Sequence, residues 1–243
     1  MVTRPKRRRP TLSGQVHGQL AELLVSGVVE PGDKLSLRTV AERLGVSIQP
    51  VREAVSRLIN DNALEVMPNR AVRIPMMSLA QFRELTTIRI AIEGFAAERA
   101  AQARTAADLA AMRRHDAAFR RQCRSKTPDV AAAVAANQAF HFAMYRAAGL
   151  PSLVSIIEGL WLRIGPVLNL DMRSSSVRLR MGRAERCHAR MLAAIEGRRP
   201  VAARGALVAD ISGAARYIES RGILPDEDGV RSCLLPGPAK GKT

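Results

Sequence analysis

Four polar residues stand on helical stripes that are otherwise apolar. Asn137 and His141 are one helical turn apart among Val130, Val134 and Met144, His188 falls among Met181, Ala184, Met191 and Ile195, and Asp210 among Leu207, Ala214 and Tyr217. A carboxylate on such a stripe requires a partner, because an unpaired buried charge costs several kcal/mol (order of magnitude). A core histidine by itself is more often hydrogen-bonded than a ligand, but four such residues on three helices point to a polar site inside an apolar domain. Two histidines and a carboxylate are also the donor set of a facial metal triad of the oxygenase or hydrolase sort. An enzyme built on His141, His188 and Asp210 is therefore one alternative, although the sequence offers no general base beside an open metal position.

A second set of residues is basic and belongs outside. Between Ser36 and Leu58, Val40, Ala41, Leu44, Val46, Val51, Ala54 and Leu58 recur at helical spacing around Gly45, which takes the left-handed backbone of a tight turn. Ser47 is placed to cap the helix that follows, and Pro50 sits in its first turn, where a missing N–H is tolerated. The pattern predicts a helix-turn-helix with Arg38, Arg52 and Arg57 left on the surface. Leu12–Ser26 carries one more helical stripe, ended by Gly27. Leu64–Met67, Pro68–Arg70 and Ala71–Ile74 read as a hairpin whose tip brings Arg70 and Arg73 to DNA. Three helices and a hairpin make a winged helix.

Beyond Pro75 the pattern is helical throughout, over about 78–102, 105–124, 129–148, 151–170, 176–197 and 200–220, with breaks at Ser125–Pro128, Gly149–Pro151, the serines 174–176 and Gly197–Pro200. Thr105 and Asp108 have capping-box spacing. The expected fold class is mainly α: a winged helix-turn-helix followed by an all-α antiparallel bundle of about six helices. The expected organisation is a basic disordered arm at 1–11, a DNA-binding domain at 12–75, a helical effector and dimerisation domain at 76–225, and a disordered tail at 226–243.

The net charge of +16 favours an anionic partner but does not locate it. Residues 1–75 hold 12 basic and 7 acidic side chains and the remainder 26 and 15, so the surplus is spread over both halves. A non-specific basic DNA-coating protein is a second alternative. Three cysteines without metal spacing, no apolar signal sequence and no segment approaching the roughly 20 apolar residues of a membrane span lead to an expectation of a cytoplasmic protein with no membrane partner.

The order of elements resembles a GntR-family transcription regulator of the FadR type with a C-terminal FCD effector domain. The likeness is carried by Pro31-Gly32-Asp33-Lys34-Leu35, Leu44-Gly45-Val46-Ser47, Pro50-Val51-Arg52-Glu53-Ala54, Pro68-Asn69-Arg70, Arg89 to Glu93, and Phe140-His141. The resemblance implies a homodimer on a two-fold symmetric double-stranded operator, a small-molecule effector, here expected to be an organic acid, and repression of a metabolic operon. Arg38 and Arg52 match arginines that contact DNA in the family. Ile48-Gln49 stands where arginine and threonine are usual, which implies either an unusual operator, with Ile48 touching a thymine methyl and Gln49 reading adenine, or weakened DNA binding. Ala71 replaces a common wing glycine. In many FCD domains an Asp, a His one turn later and two more histidines bind a divalent metal of the Zn, Ni or Mn class. Here Asn137 takes the Asp position, His141 and His188 fill two His positions, and Asp210 stands where the last His is expected, which makes Asn137 a marginal ligand. Arg89 and Glu93, also one turn apart, are expected either as a surface ion pair stabilising by about 0.3–0.5 kcal/mol or as effector-binding residues, Arg89 meeting a carboxylate.

Overall fold

The computed structural model describes residues 11–170 and 177–234. Helix α1 (Leu12–Val25) starts at Thr11, whose side chain accepts the Gly14 N–H, and stops before Gly27 at φ +77°. Helix α2 (Leu37–Leu44) is capped by Ser36 and closed by Gly45 at φ 63°, the left-handed turn the sequence requires. Helix α3 (Ile48–Asn60) follows, and Asn62 at φ 55° turns the chain away from it. Strands β1 (Lys34–Leu35), β2 (Glu65–Val66) and β3 (Val72–Arg73) form an antiparallel sheet in the order β1-β3-β2. Ser47 holds the cap position of α3, but its side chain makes no capping bond. The reason is local: the third residue of α3 is Pro50, which has no N–H to offer.

The second domain is α4 (Leu79–Ala103), α5 (Ala106–Arg124), α6 (Val130–Ala147), α7 (Pro151–Leu168), α8 (Val177–Arg180), α9 (Arg183–Glu196), α10 (Pro200–Ser220) and α11 (Glu227–Leu234). Reciprocal capping boxes start α4, at Ser78 and Gln81, and α5, at Thr105 and Asp108. Two expectations are corrected. The helix expected over 176–197 is broken in two, because Gly182 takes φ 63° between α8 and α9. The tail expected to be disordered from 226 carries α11, started by Asp226 accepting from the Gly229 N–H at 2.7 Å and tied to α4 where Leu79 N–H donates to Pro225 O. The serines 174–175 and 176, the arm at 1–10 and the tail beyond 234 lie outside the described residues.

Helix α7 also corrects the sequence reading. With a mean hydropathy of 1.3 over 18 residues it is long and apolar enough to cross a membrane by length and composition. Its apolar side, including Ile157, Leu160, Trp161 and Ile164, is buried against the rest of the domain instead. The two domains share one core. Val16, Leu20 and Leu24 of α1 join Val51, Ala54 and Leu58 of α3 in a cluster continuous with Phe142, Tyr145 and Trp161. At the domain boundary Asn169 donates to Val25 O at 3.1 Å and to Gly165 O at 3.0 Å. Gly165 permits that approach, since a Cβ there would stand 3.0 Å from Leu24 O and Val25 Cα.

Candidate metal centre and DNA-reading surface

The three residues expected from the stripes converge. The ligand atoms of His141 on α6, His188 on α9 and Asp210 on α10 all lie within 4.8 Å of one another. His141 Nε2 is 3.4 Å from Asp210 Oδ2. The α6 sequence makes this approach possible, because alanines at 133, 136 and 143 leave small buried positions beside Phe140, His141 and Met144. His188 is stacked on Phe140 with ring centroids 4.1 Å apart, touches Phe119, and stands edge-on to His141 at 5.2 Å.

The donor set fits a metal ion on a feature of its own geometry. His188 is fully buried, yet neither ring nitrogen has a hydrogen-bond partner among the described residues. Its Nδ1 lies 3.5 Å from Asp116 Oδ1, while Asp116 Oδ2 accepts from Arg120 Nε at 2.8 Å. Buried nitrogens are rarely left so, and a carboxylate behind a histidine is a common way of orienting a ligand ring. Ligands at about 2.1 Å from one ion stand roughly 3–4 Å apart, so the three donors need to close by only about an ångström.

Electrostatics agree. Burial alone would raise the Asp210 carboxyl, but the neighbouring His141, His188 and Arg178 outweigh it and hold the group below its ordinary value. Burial lowers His188, with Asp116 opposing, and so favours its neutral, ligating form. Asn137, one turn before His141, lines a separate cavity of about 70 Å³ with Phe119, Trp161, Leu179 and Arg178. On the other side of Asp210 a cavity of about 220 Å³ is lined by Arg178, Arg183, Arg216 and Tyr217. Arg183 lies across Gly213, where a Cβ would come within 2.0 Å of its Nε.

Arg89 and Glu93 are not a surface pair. Their side chains are 5% and 0% exposed, and the guanidinium grips the carboxylate twice, Nε to Oε1 at 2.6 Å and Nη2 to Oε2 at 3.2 Å. Burial alone would lower Arg89, but Glu93 overrides it and raises the group, which stays charged. The Arg89 guanidinium also lies 5.4 Å from the centre of the Trp161 ring. Tyr145 and Asp116 were not singled out in the sequence. Tyr145 is one turn after His141, and its hydroxyl contacts both Glu93 and His141; the same one-turn spacing that drew attention to Arg89 and Glu93 would have found it.

On the first domain Arg38, Ser47, Ile48, Gln49, Arg52, Arg57 and Arg70 are exposed, while Val51, Ala54, Val55 and Leu58 turn inward. Gln49 donates to Glu53 at 3.3 Å along the helix. Arg70, not Ala71, takes the left-handed conformation in the wing turn, with φ 62°. Arg73 does not reach out: it is 5% exposed and pairs with Glu65, because β3 is the central strand and its register sets Glu65 directly opposite.

A winged helix-turn-helix joined to a helical domain with a buried polar site defines a ligand-responsive class of DNA-binding protein, and comparison with known proteins agrees. Residues 12–74 match the family model of bacterial regulatory proteins, gntR family, and residues 84–213 match the FCD domain. The chain belongs to the gntR family of transcription regulators and carries an FCD effector-binding domain. It is 35% identical over 164 residues to the HTH-type transcriptional regulator McbR of Escherichia coli K12, covering 68% of this chain and 73% of that protein. It is 38% identical over 87 residues to the HTH-type transcriptional repressor RspR of the same organism, covering 36% of this chain and 38% of that one. The solved structure of E. coli McbR/YncC superposes with a TM-score of 0.80 at 29% identity, over 91% of this chain and all of that one. A putative GntR transcriptional regulator from Rhodococcus sp. RHA1 shares the fold, with a TM-score of 0.67 at 20% identity over 86% of this chain and 97% of that one.

Proposed function

We propose that this regulator is a metal-dependent repressor of a metabolic operon in the bacterial cytoplasm, released from or recruited to a two-fold symmetric operator by a small organic acid. The observation that carries the effector half is the convergence of His141, His188 and Asp210 within 4.8 Å in an apolar core, beside a cavity lined by arginines. His141, His188 and Asp210 hold a divalent cation of the Zn, Ni or Mn class, with Asn137 as a weak neutral oxygen donor at its edge. When bound, the cation supplies a Lewis-acid site for a carboxylate oxygen. Arg178, Arg183 and Arg216 supply positive charge for the rest of an anionic ligand. Arg89 and Glu93 serve the effector site from behind, since both are buried and paired with each other.

On the DNA side, the exposed first half of α3 enters the major groove. Arg52 meets guanine O6 and N7 with its planar fork, Gln49 meets adenine, and Ile48 packs on a thymine methyl. Arg38, Arg57 and the uncapped hydroxyl of Ser47 bind phosphates, and Arg70 contacts the backbone from the wing. A homodimer presents two such heads. Coupling has a direct structural route: the cavity beside Asn137 is also walled by Val25, Gly165 and Asn169, the residues that join α1 to α7. A change there needs to supply only about 1–3 kcal/mol to alter DNA affinity.

Two measurements test this. Tag-free protein is assayed for metal and for thermal stability with and without chelator; stoichiometric metal and a lowered midpoint on chelation are expected, and the absence of both would sink the metal reading. Genomic fragments selected by the protein are then titrated at about 0.15–0.2 M salt. A retained preferred sequence whose affinity shifts with added organic acids is expected, whereas uniform collapse on all DNA would leave only charge-driven binding.

A further inference from the structure

Behind His141 lies a buried chain of polar groups that touches neither the cation nor the effector in the reading above. Arg89 grips Glu93 on α4, Glu93 Oε2 meets the Tyr145 hydroxyl on α6, and that hydroxyl lies 3.3 Å from His141 Nδ1. Glu93 and Tyr145 are both 0% exposed, so no solvent intervenes.

We infer that Tyr145, held by Glu93 and Arg89, is a positioning residue for His141: its oxygen accepts the Nδ1 proton and thereby turns the Nε2 lone pair toward Asp210 and His188. The direction of every bond follows from the inventory of donors. A buried guanidinium in this two-pronged geometry requires a carboxylate partner, and a carboxylate only accepts. Tyr145 has one hydroxyl proton, and at Glu93 Oε2 it must donate it. Its oxygen then has only lone pairs left for His141, so Nδ1 must carry a hydrogen. A neutral imidazole carries one N–H, so fixing it on Nδ1 makes Nε2 the acceptor.

The consequence is a site that wants a cation. An Nε2 lone pair 3.4 Å from the Asp210 carboxylate sets two acceptors face to face, an arrangement that only a positive centre between them relieves. Without the Tyr145 oxygen, nothing in this chain of groups holds the proton on Nδ1. The tautomer with Nε2–H donating to Asp210 then becomes the favoured one, and it blocks the ligand atom. The one-turn pairs Arg89/Glu93 and His141/Tyr145, on two different helices, thus form a single device. Its functional half rests on the metal reading above; its tautomer half does not.

The test uses the full chain labelled with 15N-histidine, metal-free and above neutral pH. The chain has four histidines, and the His141 signals are assigned by their loss in His141→Gln. In the wild type, Nδ1 of His141 is expected to carry a proton; an unprotonated Nδ1 would overturn the inference without any variant being needed. In Tyr145→Phe, Nδ1 is expected to lose it and Nε2 to gain it, and a competition titration with Zn²⁺ is expected to show about 10–100-fold weaker binding. Equal tautomer and equal Zn²⁺ affinity in the two proteins would remove the positioning role while leaving the metal centre standing. A tautomer that switches between the wild type and Tyr145→Phe, with a wild type that takes up no Zn²⁺, would support the positioning role and remove the metal reading.

Discussion

The two domains of this regulator carry their function on opposite sides of their cores. In the reading head, the residues proposed to contact DNA are charges left outside: Arg38, Arg52 and Arg57 are exposed, while Val51, Ala54 and Leu58 are buried. In the effector domain they are polar groups left inside, among them Arg89, Glu93, His141 and His188, all buried. The contrast follows from what each must bind. A polyanion is met at a surface in water, where each contact is modest and the protein folds without it. The small ligand and cation proposed for the effector domain would be met in low dielectric, where each polar group must be satisfied by another or it destabilises the fold. Substitutions in the head should therefore alter binding and spare stability, while substitutions in the effector core should alter stability first.

The largest expected effect is at Glu93. Replacing it with alanine leaves the Arg89 guanidinium buried without its carboxylate, and a loss of about 3–5 kcal/mol is expected in denaturant unfolding. A change under about 1 kcal/mol would mean that water reaches Arg89 and that the two regions differ less than their burial indicates. Arg52→Ala is next: about 1–3 kcal/mol of operator affinity should be lost, with relaxed preference at one base pair per half-site and an unchanged unfolding midpoint. Equal loss on operator and random DNA would reduce Arg52 to a phosphate contact.

His188 gives the effector core a pH dependence of its own. Its folded-state pKa is lowered from 6.5 by burial, so as pH falls through that value the unfolded chain takes the proton before the folded one does. Metal-free protein should keep its full stability above that pH and lose it below, by no more than about 1.4 kcal/mol per pH unit for one proton. Thermal midpoints across the range should show the decline, and His188→Gln should flatten it. The smallest effect is expected at Arg113, whose pairing with Glu196 is half exposed on both sides. Arg113→Ala should change stability by at most about 1 kcal/mol, against the larger loss at Glu93, whose pair is buried and doubly bonded.

Much of the head was legible because its rules are local. Gly45 and Asn62 take the left-handed turns that their chemistry permits, and the spacing around them sets which side chains face inward. Even the failure at Ser47 has a local cause three residues away, in Pro50. Arg73 was misplaced because the wing was read as a two-stranded hairpin. The pairing of β1 with β3, across a separation of 39 residues between Lys34 and Arg73, makes its strand the middle one.

In the effector domain the sequence by itself determined which residues were out of place: His141, His188 and Asp210 interrupt apolar stripes, and periodicity is enough to show that. It also determined that Arg89 can reach Glu93, because one helical turn fixes that spacing wherever the helix lies. Only the tertiary structure decided that this pair is buried, that it meets Tyr145 across the gap between α4 and α6, and that three stripes from 141, 188 and 210 point at one place. The physical reason is that a helix fixes which of its own residues share a face, whereas what that face meets depends on packing with helices far away in the chain.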